Sequence, residues 1–433
     1  MAKEEKPLTR LDQAELDLVI AKHKLYRESR PQGKRASLVH CDLSKLVFCG
    51  VDLSYADFTG SNLHEADLEF ANLDFTTFFG CDLRKANFRN AHMQRADLRG
   101  AVLRGAIMSG ADLTEADLRE GAFAVYDRKN GLSFSAEKEA WMEGVGGVDL
   151  RGANMGSVKL SGAVAMNSNF EDANLAHARA MRANFRGANL SGTNLTGADF
   201  SNCELRDVNL RGANLQGTMM DFSSLVNVDM TGALTDKPAG KTLDQLPLPL
   251  DQLLVLHSVW LDTHASKGQR LDLGGFDLRA IPPQGKNNLT LLLADRSVWY
   301  AHDFSYVIMP AAHFAYSDLR SCNFEGADIR GNNFTRANLV GAKFCNARLE
   351  PLLLDEKRLI KTNFAGANLR YADFTGACLK DVDFSGADLS FANFTNADIR
   401  GDSFYNAILE ETKIDSSKLD RQVIIIKDRQ EDR

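Results

Sequence analysis

Proline is what this sequence most nearly lacks. Nine prolines are spread over 433 residues, and neither 38–123 nor 148–230 contains one. Each proline removes a backbone donor, so long stretches without it suit continuous hydrogen-bonded backbone. Cysteine is also sparse. Seven residues, an odd number in no framework spacing, exclude a disulfide scaffold and predict reduced thiols. No apolar run approaches membrane-spanning length. The opening Met-Ala-Lys-Glu-Glu-Lys-Pro has no apolar signal core, so a cytoplasmic location is the expectation. Neither sign of charge dominates: 58 acids face 51 bases, net −7, which predicts no dedicated nucleic-acid or membrane surface. Motifs that carry chemistry are missing too. Gly144-Val-Gly-Gly147 does not open a helix, and no Gly-x-Ser-x-Gly elbow occurs. His257, Trp260, Leu261 and His264 share a helix face without the further ligands a metal needs. The expectation is therefore no enzyme, no metal and no cofactor.

What the chain does have is a period of five. From Leu38, every fifth residue is large and apolar: Leu43, Phe48, Leu53, Phe58, Leu63 and onward without a slip to Met108, Leu113, Leu118 and Phe123. Two positions before each centre sits a mostly small residue, such as Ala56, Ala66, Ala86 or Ala116. Five matches neither the helical period of 3.6 nor the strand period of 2. It suits a chain that turns a corner every five residues. Four sides then close a coil of twenty, and coils stack at a strand spacing of about 4.8 Å.

The runs Ala-Asp-Leu-Arg-Gly, Ala-Asp-Leu-Thr-Glu and Ala-Asn-Phe-Arg-Asn make the resemblance plain. The chain resembles the pentapeptide-repeat family, whose pattern is Ala-(Asp/Asn)-(Leu/Phe)-X-X. That resemblance implies an all-β solenoid, a right-handed quadrilateral β-helix with the Leu/Phe centres inside. It says little about function. Some members mimic duplex DNA and bind DNA gyrase, which requires a strongly anionic rod. Here residues 148–230 hold eight acids against seven bases, and 38–123 hold thirteen against eight. That charge is modest for a phosphate mimic.

The expected organisation alternates repeats with other segments. Residues 1–37 form an N-terminal capping helix, starting near Thr9-x-x-Asp12, and 38–123 the first repeat block. An insertion at 124–147 follows, then a second block at 148–233 with Ala165 and Ala180 at core positions. Residues 234–270 form a linker and second capping helix. A Gly-x-Arg motif precedes a coil in both places, at Gly33–Arg35 and Gly268–Arg270. The repeated module favours two lobes. Residues 271–419 form a third block, untidy over 271–303 and interrupted by a loop at 350–359. Its Phe and aliphatic centres alternate from Phe304, which places Phe on two opposite sides. A strand at 423–426 and a charged tail complete 420–433. That strand either covers a coil end or makes a homodimer.

Outward arginines stack at twenty-residue intervals: Arg84 over Arg104, Arg99 over Arg119, and Arg186 over Arg206. With Trp141 in the insertion, they form the candidate surface for a protein partner. The expected function is a non-catalytic interaction scaffold or adaptor of unknown partner. The alternatives are a gyrase-binding DNA mimic and a secreted effector adaptor. No direct nucleic-acid binding is expected.

Overall fold

The computed structural model describes residues 8–119, 147–283, 287–355 and 358–415. Phe123, Trp141 and the strand at 423–426 lie outside them. The chain divides into two compact units, Met1–Lys237 and Pro238–Arg433.

In the first unit each five-residue segment makes one side of a coil and one turn. Leu53 shows the pattern: its carbonyl accepts from Ala56 N at 3.0 Å, closing a four-residue turn. The third residue of the turn, Tyr55, has φ 66°. A turn with a positive φ at that position favours glycine, and glycine is frequent there, as at Gly60, Gly80 and Gly100. Phe70 and Phe75 adopt the same backbone at φ 56° and 59°. Left-handed backbone costs a β-substituted residue about 1–2 kcal/mol. Backbone bonds to the next coil hold it in place: Phe70 N donates to Arg89 O at 3.0 Å. Coils join through single parallel bridges twenty residues apart, such as Asp57↔Thr77, Thr77↔Asp97 and Asp97↔Asp117. The centres from Leu38 to Leu118 are fully buried, with the small residues beside them. The coil is described again from Val148, with Ile107 bridging to Asp149.

The Asp or Asn before each centre has a structural task that its outward position conceals. Its carboxylate or amide oxygen accepts the backbone N–H two residues on, as from Arg84 to Asp82 (3.2 Å) and from His64 to Asn62 (3.0 Å). This is the Asx-turn that makes these residues favourable at corners. Asn side chains also ladder between coils. Asn174 donates to Asn154 and Asn194 to Asn174 at 2.9 and 3.0 Å; Asn189 and Asn209 continue a second ladder.

Helix α1 (Gln13–Arg27) starts three residues later than Thr9-x-x-Asp12 suggests. Asp12 is the N-cap, with Glu15 completing a capping box. Thr9–Arg10 instead forms a short strand, β1, parallel to β2 (Cys41–Asp42). Leu16 is buried in the core of the first unit. Centres at the far end of this unit depart from the expected core. Leu225 and Met230 keep the register but are 45% and 37% exposed, because no later coil of the unit lies over them.

The second unit repeats the opening arrangement. Helix α2 (Leu250–Asp262) buries Leu253 and His257. Residues 287–303, expected as irregular, are regular coil: Asn288 bridges to Ile308, Leu293 to His313 and Val298 to Asp318. The centres are Leu289, Ala294 and Trp299, all buried. They broke the sequence pattern by size. Ala294 is smaller and Trp299 larger than a usual centre, and Trp299 packs against His302, Phe304 and Phe314. Trp299 donates its indole N–H to Ser297 Oγ at 2.6 Å.

From Phe304 onward the phenylalanines form two stacked columns. Phe304, Phe324, Phe344, Phe374 and Phe394 stack at 4.8–5.1 Å. Phe314, Phe334, Phe364, Phe384 and Phe404 stack at 4.9–5.5 Å. The columns meet edge to face across the coil interior, as at Phe344 and Phe364 (5.6 Å, 81°). Between Phe344 and Phe374, where a loop at 350–359 is expected, the chain leaves the coil as two short paired strands. Strand β3 (Leu352–Asp355) pairs antiparallel with β4 (Arg358–Ile360). The coil continues beneath it, Asn333 bridging to Asn363 and Arg348 to Cys378.

Candidate interaction surfaces

The bridge register puts Arg84, Arg104, Arg186 and Arg206 on one side of the first unit and Arg99 and Arg119 on the adjacent side. Their charges are not equally available. Arg84 grips Asp82 of its own repeat, Nε to Oδ1 at 2.8 Å. Arg99 holds Asp97 at 2.8 Å and Arg119 holds Asp117 at 2.7 Å in the same way. Glu115 pairs with Arg95 at 2.7 Å. Arg206 lies 3.9 Å from Glu204. At Arg104 and Arg186 the residue two positions back is Val102 or Asn184, which offers no carboxylate. Neither guanidinium has an ion pair among the described residues.

A second exposed feature has no precedent in the sequence reading. Tyr55 and Phe75 stack at 4.8 Å on one corner, and both are exposed. Arg27 lies over Tyr55 at 5.1 Å and Arg95 over Phe75 at 5.7 Å. A twenty-residue column at the third turn position carries this ladder; tracking only the centres hides it.

The His, Cys, Asp and Glu side chains of the described residues are dispersed. No group of three His, Cys, Asp or Glu side chains could hold a metal ion there. All seven thiols are free and shifted upward, first by burial. Cys81 is pushed up to about 12, so it is a thiol and not a nucleophilic thiolate at neutral pH. No described helix is long and apolar enough to cross a membrane.

A family profile of pentapeptide repeats matches eight times, over 41–84, 81–119, 146–179, 166–202, 194–232, 312–350, 358–386 and 383–421. Together these cover more than half of the chain. The chain belongs to the pentapeptide-repeat family. The quadrilateral right-handed β-helix is the fold of that family, and the stacked four-sided coils agree with it. Among solved structures, this pentapeptide-repeat chain is similar to full-length QnrB1, described as a plasmid-mediated fluoroquinolone resistance protein. Identity is 21% over 47% of this chain and 92% of that one, with a TM-score of 0.23. HetL from Nostoc sp. strain PCC 7120, involved in heterocyst differentiation regulation, is 19% identical over 93% and 94% of the two chains, with a TM-score of 0.13. The repeat protein alr5209 from Nostoc PCC 7120 is 26% identical over 27% and 84%, with a TM-score of 0.22. Superpositions this loose carry no functional argument. No curated protein matches the chain.

Proposed function

We propose that the protein is a non-catalytic scaffold that binds a protein partner through the arginine-bearing side of its first unit. The observation that carries this reading is the pair Arg104 and Arg186. They project from one side of a regular coil without a carboxylate in their own repeats, whereas Arg84, Arg99 and Arg119 are neutralised locally. An acidic partner would find two uncompensated guanidinium groups on a preorganised face. Helices α1 and α2 fit the role of covers for the first coil edge of each unit, since each buries an apolar and a histidine side chain there.

The DNA-mimic reading is weaker on physical grounds. Many acids that would supply the anionic rail are spent on Asx-turns and on arginines of their own repeat, and Asn ladders replace them over much of 148–230. A secreted adaptor remains a version of the scaffold reading in another location.

The test is a crosslinked pull-down of the tagged full chain from its own cells, compared with the double variant R104E/R186E. A partner recovered with the wild type and lost with the variant supports the reading. An unchanged set of partners sinks the arginine side as the contact. Gyrase subunits dominating both samples would revive the mimic.

A further inference from the structure

We propose a binding site for a small oxyanion, a carboxylate or phosphate, in the cleft beside α2 of the second unit. This goes beyond the scaffold reading and does not depend on it. The cleft has a volume of about 320 Å³ and is lined by Lys241, Gln245, Gln269, Arg270, Asp272 and Phe276, among others.

Comparison with the first unit isolates what is special there. In both units a helix histidine accepts the backbone N–H that follows the Gly-x-Arg motif. Ala36 N donates to His23 Nδ1 at 3.0 Å, and Leu271 N donates to His257 Nδ1 at 3.1 Å. In both, the motif arginine donates its Nε to a carbonyl of the next coil, Arg35 to Tyr55 and Arg270 to Leu291. There the likeness stops. Arg35 is exposed to water, whereas Arg270 is half-buried beneath the helix with Trp260 6.0 Å from its guanidinium carbon. Its Nη2 is buried without a hydrogen-bond partner. An orphaned guanidinium nitrogen is costly, so a buried one calls for a ligand.

The rest of the cleft is consistent in charge. Lys241 adds a second cation. Its backbone is pinned as a bridge to Phe276, and its ammonium lies 5.3 Å from the centre of that ring. Neither Lys241 nor Arg270 has an ion pair among the described residues. Asp272, the one carboxylate in the lining, already accepts Gly274 N at 2.9 Å; it and Asp295 act on the Arg270 guanidinium electrostatically without forming an ion pair with it. The Gln245 and Gln269 amides are exposed and able to donate. A guanidinium fork fixed through its Nε, with an ammonium in the same lining, suits planar or tetrahedral oxyanions. The cleft volume restricts the ligand to a small molecule.

Isothermal titration calorimetry on the full-length chain decides the matter, with inorganic phosphate in one arm and succinate in the other. The expected result is saturable one-site binding of at least one probe. Lys241→Gln, on an exposed side chain that folding does not need, should weaken it at least tenfold. Arg270→Lys keeps the charge but loses the fork and should weaken it similarly. Arg400→Gln, remote and paired with Asp398, should leave it unchanged. Absence of saturable heat with both probes overturns the proposal, as does binding indifferent to Lys241→Gln. Saturation by phosphate alone assigns a phosphate site, and by succinate alone a carboxylate site. Retention of partner capture by K241Q would separate this site from the arginine side of the first unit.

Discussion

Asp402 occupies an inward position that the repeat otherwise gives to a small residue. One of its oxygens accepts Val382 N at 2.8 Å, and the other is buried without a partner. Burial pushes its carboxyl up to about 8; Asp381 and Asp398 add to this and Lys361 opposes it. The folded value lies above the ordinary 3.8, so the stability linked to this group is full below about 3.8 and is lost as pH rises through 8. Asp402→Asn imitates the neutral form. It should melt with the wild type near pH 4 and several degrees above it at pH 8.5, as followed by circular dichroism. His302 acts in the opposite sense. Burial beside Trp299 and Phe304 lowers it to about 4, so it is held neutral, and its contribution is full above 6.5 and lost as pH falls from 6.5 to 4. His302→Ala restores the small residue of the repeat and should flatten that acid limb; an unaltered limb would exclude His302 as its source. Neither group could be singled out from sequence. Both sit in register at small positions, and only the packing around them reveals that burial holds each in its neutral form at pH 7, the carboxyl by raising it and the imidazole by lowering it. The Asp and Asn beside the centres show the same limit. Their place in the period was visible, but their use in turns depends on the left-handed residue three positions on.

Elements were more legible than residues wherever the side chains had the usual size. The alternation of Phe and Leu after Phe304 predicted two opposite Phe stacks, and both columns are there. Phe344 lies between Phe324 at 5.0 Å and Phe374 at 4.8 Å, with Phe334 and Phe364 at its edges. Phe344→Ala should cost about 3–5 kcal/mol in urea unfolding. Phe404, at the end of its column and slightly exposed, should cost less. Equal costs would mean that stacking adds nothing beyond burial. The helices were harder. The repeated Gly-x-Arg motif was readable, but the shared histidine was not. His23 precedes its glycine by ten residues and His257 by eleven, so no common period joins them. The tertiary contact shows the equivalence, because both imidazoles accept the same backbone N–H. Burial lowers both histidines, as an acceptor nitrogen requires. Removing residues 1–30 takes away Leu16 and His23 and uncovers the Leu38 and Leu43 coil. The truncated chain should aggregate by light scattering; a soluble monomer would show that the helix does not protect that edge.

Each unit has its own continuous core: one runs from Leu16 to Leu215 and the other from Leu253 to Leu409. Solenoid stability is close to a sum of neighbour interfaces, so what a unit stacks inside sets its strength. The first unit places Ala165 and Ala180 at centres and ends on partly exposed Leu225 and Met230. The second unit stacks phenylalanine on phenylalanine from Phe304 to Phe404, each offset pair worth roughly 0.5–1.5 kcal/mol beyond burial. Calorimetry of the full chain should therefore show two transitions, the upper one belonging to Pro238–Arg433. Separate expression of 1–237 and 238–433 assigns them: each fragment should reproduce one transition within a few degrees. A single transition shared by the full chain and absent from both fragments would mean that the units fold only together. The fold was readable at the scale of the molecule because the period assigns every coil the same bridges, turns and buried centres. The partner was not, because it is recognised by the outward side chains that the period leaves free. Arg84 and Arg99 have an aspartate two residues before them, and Arg104 and Arg186 do not. That difference is written in the sequence, and it gains meaning once the turn is known to bring those two positions together.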